Sequence, residues 1–183
     1  MSKTNNLGIR IPQHILRIAE QLDYANDIES WIIELLHSIC TISDECIKPV
    51  IALTPDLPYM PHLNCNKTIS LTKAETGSLR DILSGNNKYW IKLPLSSAPL
   101  SIRNNIKSDI DMSVTIFPLY TSGISPAYVI CYHTKEINDA MNQDIAIICK
   151  YAASRRIHIE TYMKIDDFST ALRKVSSIIA CMG

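Results

Sequence analysis

The strongest periodicity in the chain runs through NDIESWIIELLHSICTI, where Ile28, Trp31, Ile32, Leu35, Leu36, Ile39 and Ile42 recur three and four residues apart. That spacing puts them on one face of a helix, and Asn26 with Glu29 supplies a capping box at its start. Upstream, Ile11, Ile15, Ile18, Ala19 and Leu22 mark a shorter helix entered through Pro12. CIKPVIALT (46–54) predicts a strand, with Pro49 arguing for an edge or a bulge. Residues 55–67 carry three prolines and no period, which predicts a loop.

AETGSLRDILSG (74–85) predicts a short helix closed by Gly85, and KYWIKL predicts a strand. PLSIRNNIKSDI is open between helix and loop. The clearest hairpin follows in SVTIFPLYTSGISPAYVICYHT (113–134), two β-branched and aromatic runs joined by a turn containing Gly123. A long helix comes next, with Met141, Ile145, Ile148, Ala152 and Ile159 along one side. A second amphipathic pattern succeeds it, in which Phe168, Ala171, Leu172, Val175, Ile178, Ile179 and Met182 form a stripe that needs a partner surface. Helices at both ends around a hairpin-rich centre imply an α+β fold, a mostly antiparallel sheet with terminal helices packed on one face.

Composition narrows the function. At 183 residues the chain is long enough for one domain with a sizeable core, plus a helical arm. Lys and Arg (18) balance Asp and Glu (18) without long runs of either sign, so neither direct nucleic-acid binding nor an anionic membrane surface is expected. The six cysteines include no C-x-x-C pair and sit mostly within apolar stretches, which predicts buried free thiols in a reducing cytoplasm. The N-terminal residues lack the apolar core of a signal peptide, and no run of about 18 apolar residues occurs. Only five glycines occur and none are grouped, which rules out P-loop and dinucleotide fingerprints.

The chemistry-bearing clusters are sparse. His62 and Cys65 form one H-x-x-C without a second pair, short of a metal site. His37 lies off the apolar stripe, His158 is expected in solvent, and His133 closes the hairpin; no nucleophile is tied to any of them. Asp109 with Asp111 read as a strand start, and Asp166 with Asp167 as a helix N-terminus. No cofactor, no metal and no catalytic residue are expected, so the chain reads as a non-enzyme.

The segment 112–153 resembles the C-terminal half of a GAF domain: Pro118-Leu119 ends a strand, a turn follows, then a second apolar strand and a long helix. AETGSLRDILSGNNKYWI is similar to the short helix and strand of the sensor domains of sigma-54-dependent bacterial transcription activators, through Ser78, Arg80, Ile82, Leu83 and Ser84. The likeness covers residues 26–162. It leaves a helical arm at 1–25 and an amphipathic helix at 163–183. Two departures are Ala127, where the family often has glycine, and Pro126 beside it.

The resemblance implies a pocket framed by Tyr59, His62, Trp90, Arg103, Thr115, Phe117 and Tyr128, polar-tipped, cationic or aromatic residues in the regions that line such cavities. Arg103 suits an anionic ligand. The hairpin would then be a wall of that pocket. The implied function is small-molecule sensing, relayed through the terminal helices of a homodimer to a transcription-activating output domain or protein. The alternatives are a ligand-free GAF-like interaction module, such as an anti-activator whose cavity is filled by Phe117, Trp90 and Tyr128, and a sulfoxide reductase with Cys65 as its reactive thiol.

Overall fold

A computed structural model describes residues 12–43, 46, 48–54, 67–85, 89–106, 111–119 and 127–182, with the backbone alone for residue 172 and residues 174–182. The order is α1 (Gln13–Asp23), α2 (Ile28–Ile42), β1 (Lys48–Leu53), β2 (Thr68–Ser70), α3 (Lys73–Gly85), β3 (Ile91–Pro94), a 3-10 turn (Leu95–Ser97), α4 (Leu100–Asn104), β4 (Ser113–Pro118), β5 (Ala127–His133) and α5 (Asp139–Met182). The strands form one sheet in the order β2-β1-β5-β4-β3. Every pair is antiparallel except β1 with β2, so the fold is α+β, as the pattern predicts.

The period of two along β1, β4 and β5 divides the apolar residues between two cores. On one face Ile51, Leu53, Phe117, Val129 and Cys131 pack with Ile18, Leu22, Trp31, Leu35, Ile148 and Ala152 of α1, α2 and α5. On the other, Val50, Val114, Ile116, Tyr128, Ile130 and Tyr132 pack with Leu79 and Leu83 of α3 and Ile102 of α4. The terminal helices cover one face and the short inner helices the other. α1 joins the first core directly, with Ile15, Ile18 and Leu22 buried.

Several local expectations are corrected. Asp27, not Asn26, caps α2: its side chain accepts from the Ser30 amide at 2.7 Å, and Ser30 rather than Glu29 returns the bond. Pro49 lies in a strand between two neighbours, because the ladder to β2 spans only Ile51–Leu53 and leaves β1 one-sided at the proline. β2 falls in a stretch too short to show a period. The two C-terminal helical patterns are one 44-residue helix, since neither Gly nor Pro interrupts the sequence from Asp139 to Met182. Asp166 and Asp167 therefore sit within α5 and not at a helix start. The hairpin turn with Gly123 and Pro126 lies outside the described residues.

Ile148 is fully buried between α5 and the sheet, whereas Tyr24 is 83% exposed. Urea denaturation of Ile148→Ala is expected to show a loss of about 2–5 kcal/mol. Tyr24→Ala should stay within about 0.5 kcal/mol of the wild type.

Candidate functional site

The inner-helix face carries the most complete polar construction. Thr72 and Glu75 close a capping box at the start of α3: the Thr72 amide donates to Glu75 Oε2 at 2.8 Å, and the Glu75 amide donates to Thr72 Oγ1 at 3.2 Å. The same carboxylate reaches α4, accepting from the Ser101 amide at 2.9 Å and from Ser101 Oγ at 2.8 Å. Burial alone would raise the Glu75 carboxyl, but these donors outweigh it and hold the group down at about 2, against an ordinary 4.5. One ionised side chain thus ties two helices together.

Two tyrosines of β5 reach the same helices through the core. Tyr132 Oη donates to the Ile102 carbonyl of α4 at 2.7 Å, and Tyr128 Oη to the Thr76 carbonyl of α3 at 3.4 Å. Burial pushes the Tyr132 hydroxyl up to about 12, so it remains a donor across the physiological range. Lys48 Nζ adds a bond to the Asn105 carbonyl just after α4. Between α3, β3 and α4 these contacts leave an open groove of about 350 Å³. Leu79, Ile82, Leu93 and Ala98 give it apolar walls, and Ser78, the ionised Glu75 and the exposed Arg103 give it polar ones. Such a groove offers a small molecule apolar walls and, at Arg103, one cationic side chain opposite the carboxylate of Glu75.

The expected pocket residues do not converge. Arg103 lines the groove. Tyr128 faces the inner helices but is fully buried and spends its hydroxyl on Thr76. Thr115 and Phe117 share a face, as the period requires, but it is the opposite one. Phe117 is core, with the Trp90 ring 6.5 Å away between centroids, and Trp90 packs on that same outer-helix core. Thr115 Oγ1 lies 2.9 Å from His133 Nε2, and His133 Nδ1 lies 2.8 Å from the Lys135 carbonyl. A carbonyl only accepts, so Nδ1 carries the proton and Nε2 accepts from Thr115. Burial lowers the His133 pKa, which keeps this buried ring neutral. Tyr59, His62 and Cys65 lie outside the described residues.

Glu75 was not singled out, although T-x-x-E over 72–75 is the capping signature that would have pointed to it. Arg156 was missed as well. It is 1% exposed within the apolar stripe of α5, pairs through Nε with Glu160 one turn on, and donates from Nη1 to the Leu119 carbonyl at the end of β4. Nearby, Arg155 Nη2 donates to the Asp23 and Ala25 carbonyls, Tyr151 Oη to Asp23 Oδ2, and Trp31 Nε1 to the Ala152 carbonyl. These bonds latch the first half of α5 to the α1–α2 corner and to the sheet.

The depressed Glu75 carboxyl contributes stability that is fully present above about pH 4.5 and is lost as pH falls toward about 2. In thermal unfolding from pH 6 to pH 2, Glu75→Gln is expected to start less stable than the wild type and to lose less across that window. Parallel curves would contradict this account of Glu75.

No family model and no curated protein matches the sequence. Among solved structures, the chain is similar to a methyl-accepting chemotaxis protein, residues 122 to 287, with a TM-score of 0.50 and 11% identity over 82% of this chain and 99% of that one. At that identity the likeness is one of fold. Among the described residues no helix is long and apolar enough to cross a membrane.

Proposed function

We propose that the chain is a regulatory module in which the α+β domain senses a small molecule and reports through α5. The observation that carries this reading is the division of α5. Its first half is buried against the sheet through Ile145, Ile148, Ala152 and Ile159, and every residue from Thr161 to Phe168 is exposed. A helix built this way turns a change in the domain into a displacement of its free end. The ligand site in this reading is the α3–α4 groove, with Arg103 engaging an anionic group. β5 connects the two, since Tyr128 and Tyr132 hold the groove's helices while Val129 and Cys131 pack toward the layer that holds α5. The output is a transcription-activating domain or protein, reached through the free end of α5 in a homodimer. A cytoplasmic setting fits Cys46, Cys131 and Cys149, which are buried free thiols.

A second reading, a ligand-free interaction module, is favoured by the packing of the inner face. Tyr128, Ile130 and Tyr132 are fully buried there and fill the space between sheet and helices with side chains. Native mass spectrometry of the freshly purified chain, set against its denatured mass, separates the two. The sensing reading predicts an added mass that leaves on denaturation and is absent from Arg103→Ala. A clean apoprotein mass in the wild type would favour the interaction module.

A further inference from the structure

In the helical layer on the other side of the sheet from the α3–α4 groove, α1, α2 and α5 frame a second pocket of about 580 Å³. His14, Arg17 and Gln21 of α1 line it, three and four residues apart and so on one face of that helix. His37 and Thr41 line it from α2, one turn apart, and Met141 and Asp144 from the first turns of α5. Ile18 belongs to the outer-helix core, and Ile42 and Met141 are partly buried against it, so the floor of the pocket is the uncovered rim of that core. An apolar base with polar groups converging from three separate elements, at this volume, is the construction of a small-molecule site.

The charges around the pocket select the ligand. The charged and titratable groups that line it are His14 and Arg17 from α1, His37 from α2 and Asp144 from α5. Asp144 is already engaged, its Oδ2 lying 3.0 Å from His14 Nε2 in a contact that ties α1 to α5. Among the described residues, no hydrogen bond or ion pair engages the side chains of Arg17 and His37, and both residues are exposed. The pocket thus holds one permanent cation left to a ligand, beside an apolar floor. We infer that it binds a small organic acid, a single carboxylate on an apolar chain, with the carboxylate on Arg17 and the chain on Ile18, Ile42 and Met141. A planar guanidinium matches a carboxylate through two parallel hydrogen bonds, and Gln21 and His37 bring further donors to the same pocket. A dianion fits less well, because one guanidinium balances one negative charge and Asp144 repels the second. The site is separate from the α3–α4 groove and does not rest on it. A ligand here bridges α1 and α2 to the first turns of α5, giving the outer layer an input of its own.

Calorimetric titration of the full chain with hexanoate tests this. Hexanoate should bind saturably with a dissociation constant of about 1 mM or tighter. Acetate, which lacks the chain, and hexanamide, which lacks the charge, should each bind at least about tenfold more weakly. Arg17→Gln, at an exposed position, should weaken hexanoate by about tenfold or more while keeping the wild-type melting temperature. In proton NMR the imidazole resonances of His14 and His37, each assigned by its His→Gln variant, should shift along the titration, and those of the buried His133 should stay in place. No saturable binding at millimolar hexanoate, equal affinity for hexanamide, an Arg17→Gln chain that binds like the wild type, or binding lost in Arg103→Gln and retained in Arg17→Gln would each overturn the proposal. The co-purified mass is read on Arg103→Ala and these titrations on Arg17→Gln, so failure of this site and failure of the α3–α4 reading are distinguishable.

Discussion

Strand β5 is buried along its whole length, from Ala127 to His133, and the rest of the fold answers to that constraint. A strand flanked on both edges and apolar on both faces has to be covered on both, and this requires two helical layers. α1, α2 and α5 supply one and α3 with α4 the other. Because β5 alternates its side chains between these layers, Tyr128, Ile130 and Tyr132 belong to the groove side and Val129, Cys131 and His133 to the α5 side. A shift of this one strand by a single residue would exchange the two sets, so its register fixes both surfaces at once.

Polar groups inside this frame are few, and the assigned ones have defined partners. Glu75 joins α3 to α4, the β5 tyrosines join both helices to the sheet, and Arg156 with Glu160 joins α5 to the end of β4. Each replaces water with donors and acceptors of matched geometry, which is what permits ionised or hydroxyl groups at buried positions. Together they pin the inner helices to one face of the sheet and α5 to the end of β4 on the other. The exposed stretch Thr161–Phe168 begins at the residue after Glu160, the last α5 residue that carries one of these bonds.

Much of this was legible in the sequence wherever a period was long enough. The α2 stripe from Ile28 to Ile42, the hairpin strands and the apolar side of α5 each repeat over several turns or alternations, and burial follows them. The three residues of β2 and the five of α4 fall below the length at which a period can be seen. Pro49 reads as an edge signal because the sequence does not tell how far a neighbouring ladder extends. The site was harder to read than the fold. Thr115, Phe117 and Tyr128 are all in the hairpin as expected, but the face each one meets depends on which helices cover it, and that is set by chain topology. In isolation Glu75 shows only as a helix cap and Arg156 as a surface residue; Ser101 and Leu119, distant in sequence, give them their further roles.

The continuity of α5 from its buried half into the exposed stretch beyond Glu160 is the feature on which the proposed relay depends. Hydrogen–deuterium exchange along residues 139–182 measures it directly. The account predicts slow exchange through Ile145–Ile159 that continues without a break across residues 160–165 and then rises gradually toward Met182. Rapid exchange beginning just after Glu160, or an unprotected hinge between the domain and Ile165, would contradict it.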